Sequence, residues 1–151
     1  MYILGVETSC DETAASVIKT NMRGDVQVLS NVISSQIEIH RQYGGVVPEV
    51  AAREHVLNIL PVIHSALKNA KIAPRQVAAI GITKGPGLVT SLITGLESVR
   101  ALAYVWKKPL IEVNHIAGHI YANFIRSGRK IQFPAIILTV SGGHTILLKM
   151  Q

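Results

Sequence analysis

The segment Asn114-His115-Ile116-Ala117-Gly118-His119 carries two imidazoles four residues apart. On a helix that spacing puts both on one face, about one turn apart, where they can reach a single metal ion. Zinc and ferrous iron both suit imidazole with carboxylate, so the pair does not choose between them. A zinc site normally has at least three protein ligands, and the candidates for a third are Asp11, Glu12 and His144. Ser141-Gly142-Gly143-His144-Thr145 offers a Gly-Gly turn whose bare N–H groups could meet a phosphate, or which could simply close a hairpin. A metal beside a phosphate-binding turn points to nucleotide or acyl-nucleotide chemistry. A zincin peptidase is disfavoured: Ile116 and Gly118 stand where its two forms need a glutamate as base.

These residues need elements to hold them. Tyr2 to Val6 reads as a strand, Glu7 to Thr13 as a polar turn, Ala14 to Ile18 as a second strand, and Val26 to Ile33 as a third after the turn at Asn21–Gly24. The three pair antiparallel. Tyr43 to Pro48 is a loop that delivers Pro48 to the first turn of a helix running to Ala70, with a kink or break expected at Pro61. Val77 to Thr83 is a buried strand, Gly85-Pro86-Gly87 ends it, and Leu88 to Trp106 is a long helix. Leu110 to Val113 and a helix from about His115 to Ile125 follow, so this part pairs parallel through right-handed crossovers. The sum is a mixed five-stranded sheet. Residues 1–133 form this first unit. Residues 134–151 read as a separate hairpin, Ala135 to Val140 with Thr145 to Met150, that echoes the opening one. It looks like the start of a second, similar lobe, which makes the chain a fragment, a truncated product, or a subunit that needs a partner.

Composition narrows the classes. Apolar residues make up 48% and charged residues 16% of 151, enough for one domain with a core. No apolar run reaches the length of a membrane span, and the apolar start lacks a basic leader and runs into Glu7. The single cysteine, Cys10, forms no internal disulfide, which fits a reducing, cytoplasmic setting. Fifteen Lys and Arg against nine Asp and Glu give a net charge of +6, which permits a polyanionic partner such as RNA.

Five segments together resemble the tRNA threonylcarbamoyladenosine synthesis (TsaD) family, whose older label was glycoprotease. They are Gly5 to Thr13, Tyr43 to Glu49, Gly85 to Leu88, Asn114 to His119 and Val140 to Thr145, in the family's order over essentially the whole chain. The resemblance implies an actin, Hsp70 and sugar-kinase (ribonuclease H-like) fold with ligands bound between two lobes. It implies transfer of a threonylcarbamoyl group from threonylcarbamoyl-AMP to N6 of adenosine 37, in tRNAs that read codons beginning with A.

By the same resemblance His115 and His119 are the metal pair, for Fe2+ or Zn2+. Thr139, Val140, Ser141, Gly142 and Gly143 are the substrate-binding strand and turn. Asp11 and Glu12 lie in a turn facing the cleft, Asp11 as general base or orienting residue. The implied partners are tRNA, a TsaB-like paralogous subunit of the same fold and a small TsaE-like ATPase. The alternative is a non-catalytic interaction module or a fragment needing its second lobe, in which the Pro48–Ala70 and Leu88–Trp106 helices supply a dimer surface for a homodimer. Cys10 is assigned a structural role, and His40, His55 and His64 a non-catalytic one.

Overall fold

The computed structural model describes residues 1–22, 24–125, 132–140 and 145–151. Alternating apolar residues build the first three strands: β1 (Tyr2–Glu7), β2 (Glu12–Thr20) and β3 (Val26–Ser35). β1 and β2 bury alternate side chains along much of their length, as a half-covered sheet requires, and β3 buries Ser30. Leu4 and Val6 of β1 face the same side as Val17 and Ala15, their partners on β2. β4 (Val77–Gly85) joins β1 in parallel, with Leu4 opposite Ile80 and Val6 opposite Ile82, and β5 (Leu110–Asn114) joins β4 in parallel. The order β3-β2-β1-β4-β5 is the mixed five-stranded sheet expected from the sequence.

Helices α2 (Pro48–Ala70) and α3 (Val89–Trp106) cover one face of this sheet. The core forms where Ile59, Ile63 and Ala66 of α2 and Val99 and Ala103 of α3 meet Leu4, Val17, Ile80 and Ile82. Burying a leucine or isoleucine contributes about 1.5–3 kcal/mol, so this layer fixes where the strand ends stand. α2 begins with proline at its first turn and runs as one continuous helix through Pro61, rather than as two helices. Before it lies a short helix, α1 (Ile37–Arg41), that the sequence pattern did not reveal.

On the other face lies α4 (His115–Ala122). It starts where β5 stops because the Asn114 side chain accepts a hydrogen bond from the Ala117 N–H, satisfying one of the helix's free donors. The helix ends three residues before the expected Ile125, at a cap formed by Asn123. A single-turn 3-10 helix, Pro74–Gln76, leads into β4. Among the described residues Ala135–Val140 (β6) and Thr145–Met150 (β7) pair only with each other, as a two-stranded antiparallel sheet. Among the described residues no helix is long and apolar enough to cross a membrane.

Candidate metal and substrate site

β1 ends in Glu7, at the carboxyl end of a central strand that pairs parallel with β4, where ligand sites of α/β sheets form. Its side chain points away from the α2–α3 core toward α4. Both carboxylate oxygens are engaged. Oε1 accepts the Ser9 N–H at 2.5 Å, and Oε2 accepts the Thr83 hydroxyl at 2.5 Å and lies 3.2 Å from His115 Nδ1. Burial opposes ionisation of Glu7 and is the largest single influence. Hydrogen bonds from Thr83, Ser9 and His115 together outweigh it and hold the carboxyl below its usual value.

An ionised carboxylate only accepts, so His115 Nδ1 donates to it, and in the neutral ring this leaves Nε2 as a bare lone pair. Ser9 Oγ sits 3.1 Å from the same Nδ1 and steadies the ring from a second direction. His119 Nε2 lies 3.0 Å from His115 Nε2, with the rings edge to face at 87°. That edge closes either as a hydrogen bond between the rings or around one cation shared by both lone pairs. A carboxylate behind a histidine whose other nitrogen faces outward is the outer-shell pattern of metal-binding imidazoles. Two nitrogens each about 2.0–2.1 Å from one ion lie within about 4 Å of each other, and 3.0 Å satisfies that. The donor set therefore fits a divalent metal. His115 is half-buried and His119 exposed, so the pair opens to solvent.

The structure brings together a different set around this pair than the sequence suggested. Glu12 is the exposed first residue of β2, not part of a turn. Asp11 is half-buried beside it, its carbonyl accepting the Gln36 N–H at 3.0 Å. Both stand at the same end of the sheet as His115. Neither has a polar contact with the pair, and among the described residues no group of three metal-binding side chains exists. Asp11 and Glu12, two of the three candidates for a third ligand, thus stand apart from the pair, and the third, His144, lies outside the described residues. Thr139 and Val140 end β6, while Ser141, Gly142, Gly143 and His144 lie outside the described residues.

Glu7, Ser9 and Thr83 are the residues the motif reading missed. The available signal was a lone carboxylate ending an apolar central strand. The turn that carries Ser9 is clamped from the core side. Thr8 Oγ1 donates to the Ser91 carbonyl of α3 at 3.0 Å, and the Leu88 N–H donates to the Ser9 carbonyl at 2.7 Å. Two glycines permit that approach. A Cβ on Gly87 would stand 2.5 Å from the Ser9 carbonyl oxygen, and one on Gly95 would stand 2.0 Å from Thr8 Oγ1. Gly95→Ala is therefore expected to destabilise the fold by about 1–3 kcal/mol through overpacking, measured by urea unfolding. Thr8→Ala in the same chain should return part of that loss, since the nearest clashing atom is then gone.

From the α2 side, His55 is fully buried, with Nε2 donating to the Cys10 carbonyl at 2.9 Å and Nδ1 accepting the Thr13 hydroxyl at 2.7 Å. Burial is the chief reason its pKa is lowered. Desolvation, aided by the Asp11 carboxylate, pushes the Cys10 thiol up to about 11, which leaves it a poor nucleophile and agrees with a structural role. Between α4 and the sheet lies a cavity of about 300 Å³ lined by Gly5, Glu7, Ser16, Gly81, Thr83 and Gly118, so a ligand held there would abut Glu7.

A mixed β3-β2-β1-β4-β5 sheet with helices on both faces, and a polar site at the ends of its parallel strands, is the actin and ribonuclease H-like class. YeaZ from Pseudomonas aeruginosa superposes with a TM-score of 0.60 at 17% identity, over 97% of this chain and 63% of that one. A Ppx/GppA family member from Aquifex aeolicus gives 0.52 at 10% identity, over 99% of this chain and 51% of its own. The family model for TsaD, tRNA N6-adenosine threonylcarbamoyltransferase, matches residues 27–151. The transferase of that name from Syntrophomonas wolfei is 54% identical over 99% of this chain and 42% of its own length. The chain belongs to the tRNA N6-adenosine threonylcarbamoyltransferase family. It spans 42–45% of the length of such relatives.

Proposed function

We propose that this chain provides the metal-holding lobe of a cytoplasmic enzyme that transfers a threonylcarbamoyl group from threonylcarbamoyl-AMP to N6 of an adenosine in tRNAs reading codons that begin with A. The observation that carries the reading is the Glu7–His115–His119 arrangement, in a chain about half identical to transferases of that name. His115 and His119 would hold Fe2+ or Zn2+, with Glu7 fixing the His115 tautomer. When bound, such a metal supplies Lewis-acid stabilisation of charge on the carbamoyl or phosphate oxygens. A further ligand comes from outside the described residues.

The chain's own residues orient and exclude. Ser9 and Glu7 lock the first imidazole. Asp11 stands at the same end as a half-buried carboxylate able to accept the proton that the adenine amine loses when it attacks the carbamoyl carbon. Glu12 assists at the rim. AMP leaves as an already good leaving group, so positioning provides most of the catalysis. Thr139 to Gly143 receive the adenylate, and the β6–β7 hairpin opens a second lobe that closes over it. A hairpin forming a sheet of its own supports that division at residue 134.

Paired apolar residues favour a protein partner. Val56, Leu57 and Leu60 of α2 and Val89 and Ile93 of α3 are exposed on two helices that pack together. That face suits a TsaB-like subunit of the same fold, a reading to which the YeaZ likeness adds, or a second copy of the chain; a small TsaE-like ATPase completes the proposed set. The test is formation of threonylcarbamoyladenosine on unmodified tRNA, with the adenylate-generating enzyme, partner proteins and metal supplied. Product lost in His115→Ala supports the reading. Product that persists in that variant overturns the role of the pair.

A further inference from the structure

We propose that the end of the sheet opposite the His115 site is a docking surface for the phosphodiester backbone of RNA; this deepens the proposed function by assigning where the tRNA is gripped. Six cations gather there. Lys68 and Lys71 end α2, Arg75 lies in the 3-10 turn before β4, Lys107 and Lys108 end α3 before β5, and Lys19 closes β2 beside the start of β1. Lys108 Nζ donates to the Arg75 carbonyl at 3.0 Å, which holds the two connections side by side. From β2 to β5 the row spans three strand spacings, about 14 Å, wide enough for several phosphates of one strand.

Two independent observations set this group apart from an ordinary solvated surface. The first is charge pairing. Arg41, Lys84 and Arg100 elsewhere on the chain are in ion pairs and Arg53 and Lys149 stand singly, whereas these six gather at one end with none of them in an ion pair among the described residues. Among the described residues Asp25 is the one side-chain carboxylate at this end, hydrogen-bonded to Asn21, while Glu7, Asp11, Glu12, Glu38 and Glu49 cluster toward the other end. The second is backbone conformation. Lys71 and Lys107 adopt left-handed φ values of 57° and 53°, and they are the described non-glycine residues that do so. Each terminates a long helix where glycine is the physical default. Both helices keep lysine at a strained position on the same face.

Spaced cations without acidic partners neutralise phosphates, and such contacts fix orientation rather than sequence. Gripping RNA at the far end of the strands leaves the reacting base free to approach the site at the near end.

The experiment is a titration of an unmodified tRNA transcript into the full chain at several salt concentrations, with Lys71→Gly/Lys107→Gly as the variant. Glycine suits both φ values, so the thermal midpoint should hold or rise while affinity falls about tenfold. The slope of log affinity against log salt should shrink by about 1–2. Arg53→Gln/Arg100→Gln, which removes two cations elsewhere, should lose less than twofold. Unchanged affinity in the lysine variant, or equal losses in both variants, overturns the proposal. So does binding of polyglutamate that falls in the lysine variant while tRNA binding does not, which would reassign the surface to an acidic protein. The failure of the metal reading is separable, because it removes zinc binding or product and leaves this titration unchanged.

Discussion

Glu7→Gln is expected to weaken zinc binding by the histidine pair about 10–100-fold, the usual effect of losing an outer-shell carboxylate, and His115→Ala or His119→Ala to abolish it. Competition against a chromophoric zinc chelator reads both. The glutamine effect follows from counting acceptors. Oε1 takes the Ser9 N–H, and Oε2 takes the Thr83 hydroxyl and faces His115 Nδ1. A carboxamide has one acceptor oxygen, so one side must confront its NH2 group. If the amide turns toward His115, the imidazole is driven to the tautomer with its proton on Nε2, the atom that should bind metal. If it turns toward Ser9, the β1–β2 turn loses its brace. Affinity unchanged in Glu7→Gln would mean that Glu7 serves folding alone. The pH dependence has a definite sign. The Glu7 carboxyl is held below its usual value, so its contribution to stability is present at neutral pH and is lost as pH falls through and below about 4.5.

The fold was largely legible because its signals are local. Leu4, Val6, Ala15 and Val17 alternate as a sheet with one covered face demands, and Pro48, Gly85 and Asn114 punctuate helices and strands as their chemistry dictates. The five-residue α1 escaped because Ile37 and Ile39 alternate like a strand. The site was half legible. His115 and His119 declare themselves by spacing, whereas Glu7 reaches His115 across 108 residues, and nothing near Glu7 in sequence announces that. Gly95 falls inside the Leu88–Trp106 helix, and the residue that requires a glycine there, Thr8, is 87 positions away. His55, which the sequence leaves as a non-catalytic histidine, is fully buried against the turn that bears Asp11.

That turn is where sequence and chemistry meet. Thr8 is held by α3, Ser9 contacts His115, Cys10 is held by His55, and Asp11 follows directly. Two core helices thus set the position of a turn on the site side of the sheet. Mobility in either helix would be felt at the His115 ring without any change in the metal ligands themselves.

His55→Ala is accordingly expected to cost about 2–5 kcal/mol in urea unfolding, from a core cavity and from stranding two polar groups. The buried Thr13 hydroxyl would lose its acceptor, and the partly buried Cys10 carbonyl its donor. The milder His55→Gln, which keeps a polar side chain of similar reach, isolates a second effect. Burial lowers the His55 pKa, opposed by the Cys10 carbonyl, Glu7 and Asp11 and aided by His40. The unfolded chain therefore takes up this proton before the folded one does. Stability tied to His55 is complete above its ordinary value of about 6.5 and is lost as pH falls below it, down to the folded value. Protonation would put a hydrogen on Nδ1, facing the Thr13 hydroxyl that now donates to it. Unfolding measured at pH 8 and pH 5.5 should show a larger drop for the native sequence than for His55→Gln. Equal drops would mean that His55 accepts a proton in the folded state without disturbing Thr13, and that the turn is held by α3 alone.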